Sequence, residues 1–212
     1  MNITIRNETP EDFRRVEEIT REAFWNLYVP GCVEHYLAHV MRSHEDFIRE
    51  LDFVALADGR LVGNIMYTRS SVENEQGGRL ETITFGPVSV LPEYQRKGIG
   101  SALIRHTIQK ARESGHAAII IYGSPYNYCK HGFKSGKDFN IGNAEGRYPF
   151  SLLVLELKEG VFAGHAWKYH ESVVFGIDPA AAEEFDRTFE PKEKGWRYTQ
   201  EEFSIACRAF LE

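Results

Sequence analysis

Between Gly86 and Leu103 the chain reads GPVSVLPEYQRKGIGSAL, a strand-like run entering a proline-containing turn, then Arg96-Lys97, then Gly98 and Gly100 where a helix begins. The first turn of a helix leaves backbone N–H groups unpaired, and the helix dipole adds partial positive charge there. Glycines let the backbone approach an anion closely, so a pyrophosphate can rest on the bare amides of Gly98 to Ser101. Arg96 and Lys97 add charge beside it. Two other phosphate motifs are excluded: no GKS or GKT follows, and position 103 is leucine, so neither a P-loop nor G-x-G-x-x-G is present. A glycine pair at a strand-to-helix turn can also serve only as a tight connection, and these residues alone leave both readings open.

The stretch Gln95-Arg96-Lys97-Gly98-Ile99-Gly100 resembles the Q/R-x-x-G-x-G/A acetyl-CoA pyrophosphate signature of the GCN5-related N-acetyltransferase (GNAT) family. Val88-Ser89-Val90-Leu91-Pro92-Glu93-Tyr94 looks like the family's usual approach to it, a strand and a P-E-Y turn. The resemblance covers roughly residues 3 to 157. It is nearest to a poorly characterised bacterial branch of predicted acetyltransferases with a G-P-V-x-V-L-P-E-Y run. That branch commonly carries G-D-P where this chain has Gly123-Ser124-Pro125. The resemblance implies that Val88, Ser89, Val90, Gln95, Arg96, Lys97, Gly98, Ile99, Gly100 and Ser101 bind acetyl-CoA as co-substrate, with no metal.

Tyr128 lies four residues before Gly132-Phe133, where the family places a tyrosine that protonates the departing CoA thiolate. A phenol of pKa about 10 suits that task, being still protonated at neutral pH. Core packing is the other fate open to Tyr128; Tyr126 is the reserve acid, and Cys129 reads as a buried, inert thiol. The family's glutamate base stands eleven residues ahead of the signature glutamine. Here that count lands on Thr84, which cannot act as a base, and Glu81 nearby has the opposite strand parity unless a bulge corrects it. Glu81 is therefore the candidate base, with ordered water or an amine of lowered pKa as substitutes. His35 and His39 have i, i+4 spacing but no third ligand, so packed or exposed histidines are expected rather than a metal site. Phe24, Trp25, Tyr28 and Tyr67 could line a substrate groove or simply pack.

Positioning these residues requires an ordered set of elements. A strand at Asn2 to Arg6, a helix opened by Thr9-Pro10 and a second helical stretch over residues 32 to 50 come first. A hairpin turning at Asp58-Gly59 follows, then a long strand from Leu80 to Leu91 broken at Gly86-Pro87. A helix from Gly98 to Ser114, a buried strand from Ala117 to Tyr122, a short helix near Tyr126 to Lys130 and a strand from Phe150 to Leu157 complete the series. The order implies an α/β domain with a mixed sheet. The resemblance implies the GNAT fold: a mixed, mostly antiparallel central sheet flanked by helices, whose parallel strands at about 80–91 and 117–122 splay apart. The expected organisation is an acetyltransferase domain over 1–160 and a carboxyl extension over 161–212. That extension, with a short helix from Asp178 to Phe185, could cover the acceptor site, complete the sheet or make a homodimer contact.

Of the 212 residues, 42% are apolar and 26% charged, an ordinary globular balance. The net charge of -6 argues against nucleic-acid binding and mildly suits a cationic amine or peptide. No apolar run nears the roughly 20 residues that span a bilayer, no secretory signal pattern is visible, and the three cysteines form no CxxC. A cytoplasmic chain with reduced thiols and no membrane partner is expected. The functional expectation is acetyl transfer from acetyl-CoA to a primary amine, small or on a peptide, directly within a ternary complex. A non-catalytic acyl-CoA sensor is the alternative.

Overall fold

The computed structural model describes residues Met1 to Glu212. The alternating residues Ile3–Asn7 form β1, which pairs antiparallel with β2 (Phe53–Ala57). β2 turns at Asp58-Gly59, both with positive φ, into β3 (Arg60–Asn74). That geometry is the tight hairpin turn expected from the sequence. β3 pairs along its length with β4 (Arg79–Val90). The main sheet continues through β5 (Ala118–Tyr122) to β9 (Leu152–Glu156) and ends at the two-residue β6 (Lys134–Ser135). Of the pairings along this path only β4 to β5 is parallel.

The long strand is not broken at Gly86-Pro87. Those two residues together oppose Met66, because the register steps from Val88↔Ile65 to Phe85↔Tyr67. Proline has no N–H to give the ladder, so the chain absorbs it as a bulge. Gly63 lies opposite the far side of that bulge, where a Cβ would meet the Ser89 carbonyl oxygen at 2.7 Å.

Helices α1 (Phe13–Phe24) and α3 (Ile99–Glu113) pack on opposite faces of β3 and β4. Thr20 of α1 donates to Asn64 (3.3 Å), whereas Thr107 of α3 bonds the hydroxyl of Tyr67 (2.8 Å), so even and odd residues of β3 serve different helices. The second helical stretch is shorter than expected: α2 spans only Glu34–Met41, followed by a turn and a 3-10 turn at Arg49–Leu51. Polar residues end it locally, the Ser43 hydroxyl donating to the Val40 carbonyl (3.0 Å) and the His44 ring accepting from the Asp46 amide (3.1 Å). Arg42, just past α2, forks onto Glu8 (2.7 and 3.0 Å) and reaches Glu17 (2.9 Å), tying β1, α1 and α2 together in a largely buried site.

Beyond α4 (Pro125–Tyr128), short strands β7 (Ile141–Gly142) and β8 (Tyr148–Pro149) precede β9. Residues past 160 are woven into this framework. β10 (Trp167–His170) hydrogen-bonds the distal end of β3 and closes a second apolar core with Phe162, Trp167 and Tyr169. Helices α5 (Pro179–Asp186) and α6 (Tyr198–Arg208) follow, and β11 (Phe210–Leu211) pairs with β8. No helix is long and apolar enough to cross a membrane.

Candidate active site

β4 and β5 share a single register pair, Ile83↔Ile119, and then diverge. Past that point β4 keeps its bonds to β3 through Val88, Ser89 and Val90, while nothing pairs with its other edge. The result is a wedge-shaped opening between residues 86–90 and the end of β5 at Tyr122-Gly123. Ser89 is buried, its hydroxyl donating to Thr20 (3.1 Å), so this strand presents backbone rather than side chain to the opening.

At the end of β4, a 3-10 turn over Pro92–Tyr94 redirects the chain into the glycine-containing loop. The Gln95 amide group donates to the Val90 carbonyl (3.0 Å), fastening the loop to the strand. Arg96 and Gly98 both have positive φ, and Gly98 caps α3. The first bond of α3 runs from the Ala102 N–H to the Gly98 carbonyl (2.9 Å); the amides of Arg96, Lys97, Gly98, Ile99, Gly100 and Ser101 have no protein partner. Consecutive free N–H groups at a helix start form an anion-binding concavity. Lys97 lies 5.2 Å from the ring centroid of Tyr94, and Arg60 lies 5.7 Å from the same ring, so two cations flank the loop. The residues expected to bind the pyrophosphate are thus brought together as one surface, and they fit it.

Across the opening, Gly123 and α4 place Tyr128. Its ring is half-buried against Phe85 (5.6 Å between centroids) and Phe133 (6.1 Å). Burial pushes its phenol above the ordinary value, and nearby Tyr28 pushes in the same direction. A phenol held neutral at the wedge is able to donate a proton and unable to act as a base near neutral pH. Tyr126, the reserve, is 90% exposed and points away from the wedge contacts. Cys129 is exposed rather than buried, because α4 gives way to a 3-10 turn at Cys129–His131 on the surface.

Glu81 is not brought to this site. It pairs with Ser71 on the closed side of Ile83↔Ile119, is exposed, and its charge is felt by His116. The bulge lies at Gly86-Pro87, beyond both Glu81 and Thr84, so it leaves their relative parity unchanged. Thr84 is buried and donates its hydroxyl to the Ile120 carbonyl. His35 is packed and His39 exposed: His35 is fully buried between Cys32 and Asp186, whereas His39 lies at the surface, its ring tilted 4.5 Å from Phe185 and meeting Glu17 at 2.9 Å.

A pocket of about 590 Å³ opens beside the end of β5. Its lining runs from Tyr122, Gly123, Ser124 and Pro125 to Tyr28 and onto α6. Among the aromatics considered from sequence, only Tyr28 lines it; Trp25 and Tyr67 are buried, and Phe24 lies behind Tyr28 at 5.8 Å. The α6 wall was missed in the sequence, although Thr199, Phe203, Ala206 and Cys207 recur at spacings of three and four as one helical face would, and Phe210 of β11 completes it. Neither Tyr128 nor a signature residue lines this pocket, but Gly123 in its wall lies against the Tyr128 ring; a larger cavity of about 910 Å³ near Phe139, Phe162 and His165 has no such link to Tyr128 in its lining.

Residues 21–133 match the model of the Acetyltransferase (GNAT) family. The chain belongs to that family. Its fold agrees with that membership. It is 36% identical over 84 residues to the uncharacterized N-acetyltransferase YjhQ of Escherichia coli, a match covering 40% of this chain and 46% of that protein. The chain thus spans about half the length of that relative. With the uncharacterized N-acetyltransferase YhbS of Escherichia coli it shares 28% over 131 residues, 61% of this chain and 72% of the relative. The crystal structure of YhbS in complex with CoA superposes at a TM-score of 0.70 with 22% identity, over 84% of this chain and 93% of that one. A GNAT family acetyltransferase from Brucella melitensis in complex with acetyl-CoA gives 0.63 with 24% identity, over 82% and 98%. At these identities the two structures establish the shared fold.

Proposed function

We propose that this GNAT protein transfers the acetyl group of acetyl-CoA to a primary amine, directly, within a ternary complex. The run of unpartnered amides from Arg96 to Ser101 supports this reading most strongly, because nothing else in the molecule offers so many aligned donors to a pyrophosphate. The complexes of YhbS with CoA and of the Brucella protein with acetyl-CoA point the same way. Bound there, acetyl-CoA would supply the activated thioester. The free edge of β4 at Val88 to Val90 would orient its arm, and Tyr128 would hold a proton at the thiolate as it departs.

Glu81 and Thr84 do not reach the wedge as a base, so the attacking amine would lose its proton to water or arrive with a lowered pKa. A candidate base turned away from the wedge is also what a non-catalytic acyl-CoA sensor would display. Calorimetry with acetyl-CoA, followed by thiol release with a panel of amines, tests both readings. Binding with turnover supports the transferase, binding without turnover on any amine supports the sensor, and no binding removes both.

A further inference from the structure

The 590 Å³ pocket has a chemical character of its own. Eight of its 16 lining residues are hydrophobic, and three of the chain's exposed large side chains, Tyr122, Phe150 and Phe203, gather around it at 43%, 42% and 40% exposure. Aromatic surface left partly uncovered around one concavity marks a place where an apolar body binds. Glu202 is the only charged residue in the lining; no lysine, arginine or histidine is present. A carboxylate at the edge of a low-dielectric pocket, with no cation opposing it, favours a cationic occupant and repels an anionic one.

The wall bearing Glu202 and Phe203 is built rather than draped. At the start of α6, the Thr199 hydroxyl donates to the Leu27 carbonyl (2.7 Å), and buried Gln200 donates to the carbonyls of Asn26 (3.1 Å) and Gly195 (2.9 Å). Asn26, at positive φ, accepts from the amides of Gly31 (2.8 Å) and Gly195 (3.0 Å). At the far end, the Phe150 amide donates to the Ala209 carbonyl (2.9 Å) and β11 pairs with β8. Between these two clamps Phe203 stacks on Tyr28 with ring centroids 4.5 Å apart. Gly123, which lines the pocket, is also the residue against which the Tyr128 ring packs, so the inner end of the pocket adjoins the wedge.

We propose that this pocket receives the acceptor, and that the acceptor is a cationic amine on an aromatic or aliphatic body without a carboxylate or phosphate. α6 supplies the determinants: Phe203 with Tyr28 for the body and Glu202 for the charge. The assignment rests on the acetyl-transfer reading for its chemistry, but the occupancy of the pocket can be read without turnover.

Two measurements test it. In the first, Cys207, which lines the pocket, is labelled with a maleimide and mapped by mass spectrometry, with exposed Cys129 outside the lining as internal control. 2-Phenylethylamine should slow labelling of Cys207 and leave Cys129 unchanged; phenylalanine, which adds a carboxylate, and spermidine, which lacks the apolar body, should protect far less. In the second, acetyl transfer to 2-phenylethylamine is compared in wild type, Glu202→Gln and Phe203→Ala. Glu202→Gln should raise KM for the amine about fivefold, the scale of one partly exposed charge contact, with kcat and acetyl-CoA affinity unchanged. Glu202→Lys should shift preference toward phenylalanine. Equal protection by all three compounds, or preferred turnover of spermidine or phenylalanine by wild type, overturns the proposal. So does an unchanged KM in both Glu202→Gln and Phe203→Ala. Failure of acetyl-CoA to bind would sink the transferase reading instead, while the labelling result would still decide what the pocket holds.

Discussion

A Cβ placed on Gly123 would come 2.5 Å from Cε2 of Tyr128 and 2.8 Å from Cδ2. The backbone at the end of β5 is therefore the back wall of the tyrosine, and the absence of a side chain there sets where the phenol sits. Gly123→Ala should push the ring out of place while leaving the amides of Arg96 to Ser101 untouched. The expected outcome is a kcat lowered by about tenfold or more, because misplacing a catalytic group by an ångström is costly. Affinity for acetyl-CoA should stay within about threefold, measured by calorimetry. Wild-type kcat in this variant would show that the contact does not position Tyr128.

The Tyr128 hydroxyl itself is tested by Tyr128→Phe, which keeps the ring against Phe85 and Phe133. A group that donates only as the thiolate leaves should affect turnover and not ground-state binding. A kcat lower by roughly 10²-fold, with the acetyl-CoA dissociation constant moved less than about threefold, is expected. Burial raises the phenol above its ordinary value, so wild type should keep its rate on the alkaline side up to about pH 10. An alkaline limb of kcat near pH 8 to 9 that persists in Tyr128→Phe would belong to another group, and wild-type turnover by the variant would make Tyr128 structural.

At the phosphate loop, backbone and side-chain contributions separate. A Cβ on Gly100 would touch Val90 at an ordinary 3.7 Å, so the fold tolerates a side chain there. Gly100→Glu should nevertheless abolish acetyl-CoA binding, since its carboxylate would stand where the free amides receive the phosphates. Lys97→Ala and Arg96→Ala should each cost only about 1 kcal/mol of binding, the worth of an exposed charge contact. Complete loss in Lys97→Ala, read by calorimetry, would mean that side chains rather than amides carry the site.

These differences track what a sequence can encode locally. The hairpin at Asp58-Gly59, the start of α3 at Gly98 and the placement of Tyr128 before Gly132 follow from glycine conformation and short spacing, and all are visible in the residues. The end of α2 was not legible, because it depends on side chains of Ser43 and His44 bonding nearby backbone rather than on any breaker residue. Nor was the parity of Glu81, which turns on whether the bulge at Gly86-Pro87 lies before or after it. The pocket depends on contacts such as Thr199 to Leu27, 172 residues apart, and no local pattern announces such a pairing.

The carboxyl segment is also held by charge, through Asp186 at the end of α5. Arg21 of α1 forks onto it (2.7 and 3.2 Å), with side chains only 5% and 16% exposed. His35 lies 3.1 Å away, but its Nε2 makes no well-formed hydrogen bond. Burial holds the imidazole below its ordinary pKa against the pull of Asp186, so near neutral pH the ionic contact is that of Arg21 and Asp186. Asp186→Asn leaves a buried guanidinium without its anion and should destabilise the fold by about 3 kcal/mol, read by denaturant unfolding. Arg21→Met combined with Asp186→Leu should recover much of that loss, because neither charge is then stranded. The imidazole adds a pH dependence: the unfolded chain takes up a proton below about pH 6.5 that folded His35 resists, so stability falls as the pH drops below that value. His35→Gln should flatten this acid-side decline while leaving the Asp186→Asn effect at pH 8 intact. An unaltered acid-side slope in His35→Gln would assign the titration to a different group.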